Sequence, residues 1–167
     1  LLANKELDQA EIMINKAIDL NPTFAGAHYN LAQILIAKKN IFEAKKSLEK
    51  VIELNQFHIE AYFQLTELLL NLKHEVDAKV LLLKAIKIFP KSAEIHINLG
   101  AALVKTGELK KAEFFTRKAI NLNPNLAIPY KNLCVILKEN SNLDEAEITI
   151  RKAIKLDPNY IKAIVLL

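Results

Sequence analysis

The residues of this chain best suited to chemistry are four histidines, one cysteine, a recurring lysine and a recurring side-chain amide. His28, His58, His74 and His96 are dispersed, with no two at helical ligand spacing. Metal ligands must converge on one point, so packing is the reading of these histidines. Cys134 is the one cysteine and cannot form an internal disulfide. A buried thiol away from positive charge is inert. There is no glycine-rich phosphate loop and no zinc-type cysteine spacing. Lysine recurs at Lys16, Lys50, Lys84, Lys118 and Lys152. Amides recur at Asn30, Gln64, Asn98 and Asn132, one in every 34 residues. A primary amide both donates and accepts, so it can pair with an extended peptide backbone without demanding a sequence. The expectation is binding rather than catalysis: no catalytic residue, no metal and no cofactor.

The elements that position these residues follow from the same period. Pro90, Pro124 and Pro158 are 34 residues apart, and Pro22 precedes Pro90 by 68, with Gln56 standing midway. With Ala25 as position one, position twenty is Ala10, Ala44, Ala78, Ala112 and Ala146. Position twenty-eight is Ile18, Ile52, Ile86, Ile120 and Ile154. Position seven is Leu31, Leu65, Leu99, Leu133 and Leu167, and position eleven is Leu1, Leu35, Leu69, Leu103 and Leu137. Several residue types recurring in phase mark a repeat architecture. The clearest copy is residues 93–126, where two apolar helical patterns flank a turn at Thr106-Gly107-Glu108. In its second helix Ala112, Phe115, Ala119 and Leu122 are spaced to form one face. Ala112 and Gly100 are small enough to let the two helices approach. Gly107 suits the left-handed conformation that reverses the chain, and Lys39, Lys73 and Ser141 stand there in the other copies, at some local cost. Glu43, Asp77 and Asp144-Glu145 complement the helix dipole at second-helix starts. The Asn-Pro, Phe-Pro and Asp-Pro pairs end second helices, and Pro129 lies in the first turn of its helix, where no backbone donor is lost.

These residues resemble the tetratricopeptide repeat, a unit of 34 residues in two antiparallel helices. Position four, a bulky slot in that family, holds His28, Tyr62, His96 and Tyr130. Position eight, a small slot, holds Ala32, Thr66, Gly100 and Cys134. Position twenty-seven holds Ala17, Val51, Ala85, Ala119 and Ala153. The resemblance implies an all-α, right-handed superhelical solenoid of antiparallel hairpins. It runs as one solenoid over residues 1–167: a partial repeat at 1–24, complete repeats at 25–58, 59–92, 93–126 and 127–160, and the start of another at 161–167. Both ends fall inside helical pattern without the polar face of a terminal cap, which predicts that the array continues.

The resemblance also implies a function. In such arrays first helices line a concave groove, and positions two, five, six, nine, twelve and thirteen point into it. The expected peptide-binding residues are therefore Asn30, Gln64, Asn98 and Asn132, with Tyr29, Phe63, Ile97 and Lys131 beside them. The expected role is a non-catalytic scaffold for protein–protein interaction, gripping an extended peptide or a partner helix. The amide ladder is similar to the superhelix of O-linked N-acetylglucosamine transferases. One alternative is thus the substrate-recognition arm of a larger group-transferring enzyme; another is a structural array self-associating through apolar ends at Ile161–Leu167 and Leu1-Leu2. A clamp for acidic chaperone tails is not supported, because Tyr29, Phe63 and Ile97 stand where charge is wanted and Glu60, Glu67 and Glu94 repel.

Composition agrees with this reading. Hydrophobic residues at 51% and charged residues at 25% suit a folded chain rather than a disordered one. A net charge of +4 is too small to argue nucleic acid without a clustered patch. The lysine at position twenty-six belongs, by the resemblance, to the outer surface. Its expected work is favouring the helix dipole and keeping that surface soluble. The competing reading, a basic stripe for an anionic polymer or membrane surface, is diluted by Glu49 and Glu147 and lacks interleaved aromatics. No run approaches the ~18 apolar residues of a membrane span, and no leader is visible, so a cytoplasmic location is expected.

Overall fold

The computed structural model describes residues 2–159, with side chains from residue 5 onward. The expectations placed on Leu1-Leu2 and on residues 161–167 therefore lie outside the described side chains. The described residues form nine helices and no strand. The fold is all-α and built from repeated helical hairpins, the solenoid class that the period implies. The chain divides into two compact units, residues 1–74 and 75–167.

The first unit holds α1 (Leu2–Leu20), α2 (Ala25–Ala37), α3 (Ile41–Leu54) and α4 (Ile59–Asn71). Ala27, Ala32, Leu35, Ala44, Leu48 and Val51 are buried in this unit. The second unit holds α5 (Glu75–Ile88), α6 (Ala93–Lys105), α7 (Leu109–Leu122), α8 (Ala127–Glu139) and α9 (Leu143–Leu156). Its core runs through Leu99, Leu103, Ala112 and Ala119 to a cluster of Leu133, Cys134, Leu137, Ala146, Ile150 and Ala153. Burial pushes the Cys134 thiol up, as expected of an inert sulfur.

The small-residue slots are points of closest helix approach. Ala44, Ala78 and Ala112 are fully buried at position twenty. A Cβ on Gly100 would stand 2.5 Å from Thr116 Oγ1, so α6 and α7 touch there. The buried stripe of α7 departs from the expected face. It runs Ala112–Thr116–Ala119, while Leu122 in the last turn is 37% exposed. Thr116 on that face packs against Gly100 of α6.

Each turn within a hairpin is closed by the same bonds. The amide of Asn40 donates to Leu35 and that of Lys39 to Ile36; the pattern repeats at His74–Leu69 with Lys73–Leu70, Glu108–Leu103 with Gly107–Val104, and Asn142–Leu137 with Ser141–Lys138. These are Schellman caps, which place one residue in the left-handed region. Lys39 (φ 61°), Lys73 (φ 60°), Gly107 (φ 78°) and Ser141 (φ 60°) occupy it. Four of the turns between hairpins use asparagine or aspartate as a local acceptor, while the α5–α6 turn has Phe89 there. Asn21, Asn55, Asn123 and Asp157 each accept from the amide two residues on. Position four then locks onto two of these turns. His28 Nε2 donates to the Pro22 carbonyl at 2.9 Å, and the Tyr130 hydroxyl donates to that of Pro124 at 3.1 Å. A ring N–H and a phenol make the same bond, which explains histidine in a tyrosine slot.

His96 fills that slot differently. It is fully buried, its Nδ1 donates to the Ser92 carbonyl at 2.8 Å, and its Nε2 has no partner. Burial holds its pKa below the usual 6.5, against the Ser92 bond and with help from Lys118. The folded state therefore favours neutral imidazole, and the unfolded chain binds the proton more tightly. Glu108 runs the other way: bonds from Lys111 (2.7 Å) and Lys79 (2.6 Å) hold its carboxyl down to about 2. The expected result is a stability that is flat at neutral pH and falls in two windows. The first opens as pH drops below 6.5, where His96 is protonated only at a cost to the folded state. The second runs from 4.5 down to about 2, where Glu108 loses its charge. Thermal melts across this range check it: His96→Tyr should flatten the upper window and Glu108→Gln the lower.

Candidate functional site

In the first unit, α2 and α4 supply the first-helix residues. Asn30 is exposed, and Tyr29, Phe63 and Gln64 are half-buried. The Gln64 amide is already used: its Nε2 donates to the Tyr29 hydroxyl at 3.1 Å, and its Oε1 accepts from Gln33 Nε2. The Tyr29 ring lies 4.5 Å from the His58 ring, centroid to centroid. His58 Nδ1 is in turn 3.1 Å from Glu60 Oε2. Desolvation raises the Tyr29 pKa, with the Glu60 charge adding to it, so the phenol stays protonated and can donate. This face is a pre-arranged polar cluster whose donors and acceptors are largely matched to one another. Asn30 stands apart from it, with no partner for its amide among the described residues.

In the second unit, α6 packs directly on α8. Asn98 and Asn132 are half-buried, and their amides find no partner among the described residues. Ile97 is only 7% exposed, so it acts as a wall rather than an open contact. Lys131 is half-buried and has an interaction of its own. A half-buried amide with no protein partner must hold water, and a ligand backbone can replace that water without loss of hydrogen bonds. Among the described residues no group of His, Cys, Asp and Glu could hold a metal ion. No helix among them is long and apolar enough to cross a membrane.

Family profiles for the tetratricopeptide repeat match residues 1–69, 93–126 and 132–160. The chain is a tetratricopeptide repeat array. The TPR array is similar in fold to YrrB, described as a TPR protein with an unusual peptide-binding site: 24% identity, 99% of this chain and 85% of YrrB covered, TM-score 0.80. It is similar to MamA from Desulfovibrio magneticus, at 19% identity over 95% of this chain and 90% of that one, TM-score 0.80. A third likeness is to pilF of Pseudomonas aeruginosa, at 18% identity over 99% of this chain and 75% of that one, TM-score 0.79. At these identities the likeness concerns the fold. No curated protein sequence matches the TPR array.

Sequence reasoning did not find the roles of Gln33 and His58 beside Tyr29 and Gln64. The signal was present: Gln33 is at position nine of one repeat and Gln64 at position six of the next, two amides on facing first helices. What the period does not encode is that the two amides face one another rather than a ligand.

Proposed function

We propose that this TPR array is a non-catalytic protein-interaction scaffold whose first-helix faces take an extended peptide or a partner helix. The observation that carries the reading is the pair of half-buried, unpartnered amides of Asn98 and Asn132 on adjoining helices of the second unit. Ile97 and Lys131 flank them, giving an apolar wall and a positive charge. Asn30 and Phe63, with Tyr29 and Gln64 already set in place, form the corresponding face of the first unit. The likeness to YrrB, described as having a peptide-binding site, supports the same class of partner.

A library of extended peptides screened against the chain supplies the probe, and titration calorimetry on the tightest peptide measures it. Asn98→Ala with Asn132→Ala is expected to weaken binding by about 2 kcal/mol, roughly thirtyfold, each amide contributing about the net worth of one hydrogen bond exchanged with water. The melting curve should stay unchanged, since neither amide bonds to the protein. Unaltered affinity for every selected peptide would show that the amides are bystanders.

A further inference from the structure

The second helices of the second unit carry a surface that the first-helix reading does not use. Val80, Phe114 and Ile148 occupy the same position on α5, α7 and α9, and they are 46%, 61% and 70% exposed. One helical turn further along, Lys84, Lys118 and Lys152 are exposed and have no carboxylate partner among the described residues. The three helices lie side by side: Lys79 on α5 reaches Glu108 at the start of α7 at 2.6 Å, and Arg117 on α7 reaches Glu145 on α9 at 2.7 Å. An apolar row and a lysine row therefore run in parallel across them. Phe114 also corrects the expectation that no aromatic interleaves the lysines; it is braced edge-on by Phe115, with centroids 5.2 Å apart. Between α7 and α9 lies a hollow of about 390 Å³, lined by Ile120, Tyr130, Leu133, Ile148, Arg117 and Lys152 among others. Its floor is apolar; its rim carries the Arg117–Glu145 ion pair and the charge of Lys152, unpaired among the described residues.

We infer that this face is a second docking surface, and that its occupant is an acidic amphipathic peptide segment. A bulky apolar side chain of the segment fills the hollow beside Ile148, others lie on Phe114 and Val80, and its carboxylates meet Lys118 and Lys152. Charge complementarity selects acidic over basic segments. The hollow selects a peptide over a bilayer, because it accepts one inserted side chain. Asp144 and Glu147, both exposed on α9, oppose a continuous anionic surface.

The test uses the whole chain and a fluorescein-labelled synthetic peptide of glutamate, leucine and phenylalanine in helical register, read by anisotropy. Saturable binding that weakens with added salt is expected. Lys118→Glu with Lys152→Glu should lower the affinity about tenfold or more, and Phe114→Ser with Ile148→Ser should do likewise. Asn98→Ala with Asn132→Ala should leave it unchanged, which separates this surface from the first-helix face. All these side chains are exposed or half-buried, so the variants should fold, and circular dichroism checks that they do. Equal binding by the charge-reversed variant overturns the proposal. So does equal binding of a lysine-for-glutamate version of the peptide, or tighter capture of phosphatidylserine vesicles or single-stranded DNA than of the peptide.

Discussion

Gly100→Leu is expected to destabilise the second unit by about 3 kcal/mol, at the upper end for overpacking a core. The argument is geometric. Gly100 is buried at the crossing of α6 and α7, and a Cβ there would sit 2.5 Å from Thr116 Oγ1 and 3.4 Å from the Ala112 carbonyl. Thr116 cannot swing away freely, because it is fully buried. Leucine brings three further carbons, so the helices must separate and give up contact along Leu99, Leu103 and Ala119. A fall of about 9 °C in thermal midpoint follows for a chain of this size. The smaller change is diagnostic. Gly100→Ala gains helix propensity of about 1 kcal/mol, yet should still destabilise while Thr116 is present. In a Thr116→Ala background the same change should turn neutral or favourable. A double-mutant cycle reads this coupling directly; additive effects would show that the two residues do not meet.

Replacing Lys39, Lys73 and Ser141 together by glycine is expected to stabilise the chain by about 2 kcal/mol. All three hold positive φ near 60° inside Schellman caps, the conformation that Gly107 adopts without strain. A side chain costs about 1–2 kcal/mol there, and glycine returns about 0.5–1 kcal/mol of that as chain entropy in the unfolded state. The remainder is about 0.5–1 kcal/mol per turn, and turns this far apart add. The midpoint should rise by about 6 °C. Gly107→Ala is the control in the opposite direction and should cost about 1 kcal/mol. A triple variant no more stable than the parent would mean that the lysine and serine side chains earn their place by contacts outside these turns.

The repeat was legible because each copy solves the same packing problem with the same residues. Ala44, Ala78 and Ala112 must be small wherever two helices cross, and Leu65, Leu99 and Leu133 must fill the space beside them. The left-handed turn residues followed from counting positions alone. So did the reading of Cys134 and His96 as buried packing groups. Less legible was the aim of α7, where the period placed Leu122 on the apolar face and the structure leaves it exposed beyond the last shared contact. One residue near a helix end changes sides with a small rotation, and rotation depends on the neighbour.

Period, hairpin layout and the class of turn at each boundary were determined by the order of residues, because they rest on local propensity and on spacings that repeat. The fate of the amides was decided only in three dimensions. Asn30, Gln64, Asn98 and Asn132 are equivalent by count, yet Gln64 is bound to Tyr29 and Gln33 while Asn98 and Asn132 have no partner among the described residues. A hydrogen bond needs two groups within about 3 Å, and which residue of the neighbouring repeat comes that close depends on how helices from different repeats pack. The same holds for Phe114 and Lys118: their spacing is written in one helix, but the hollow beside Ile148 exists only where α7, α8 and α9 meet.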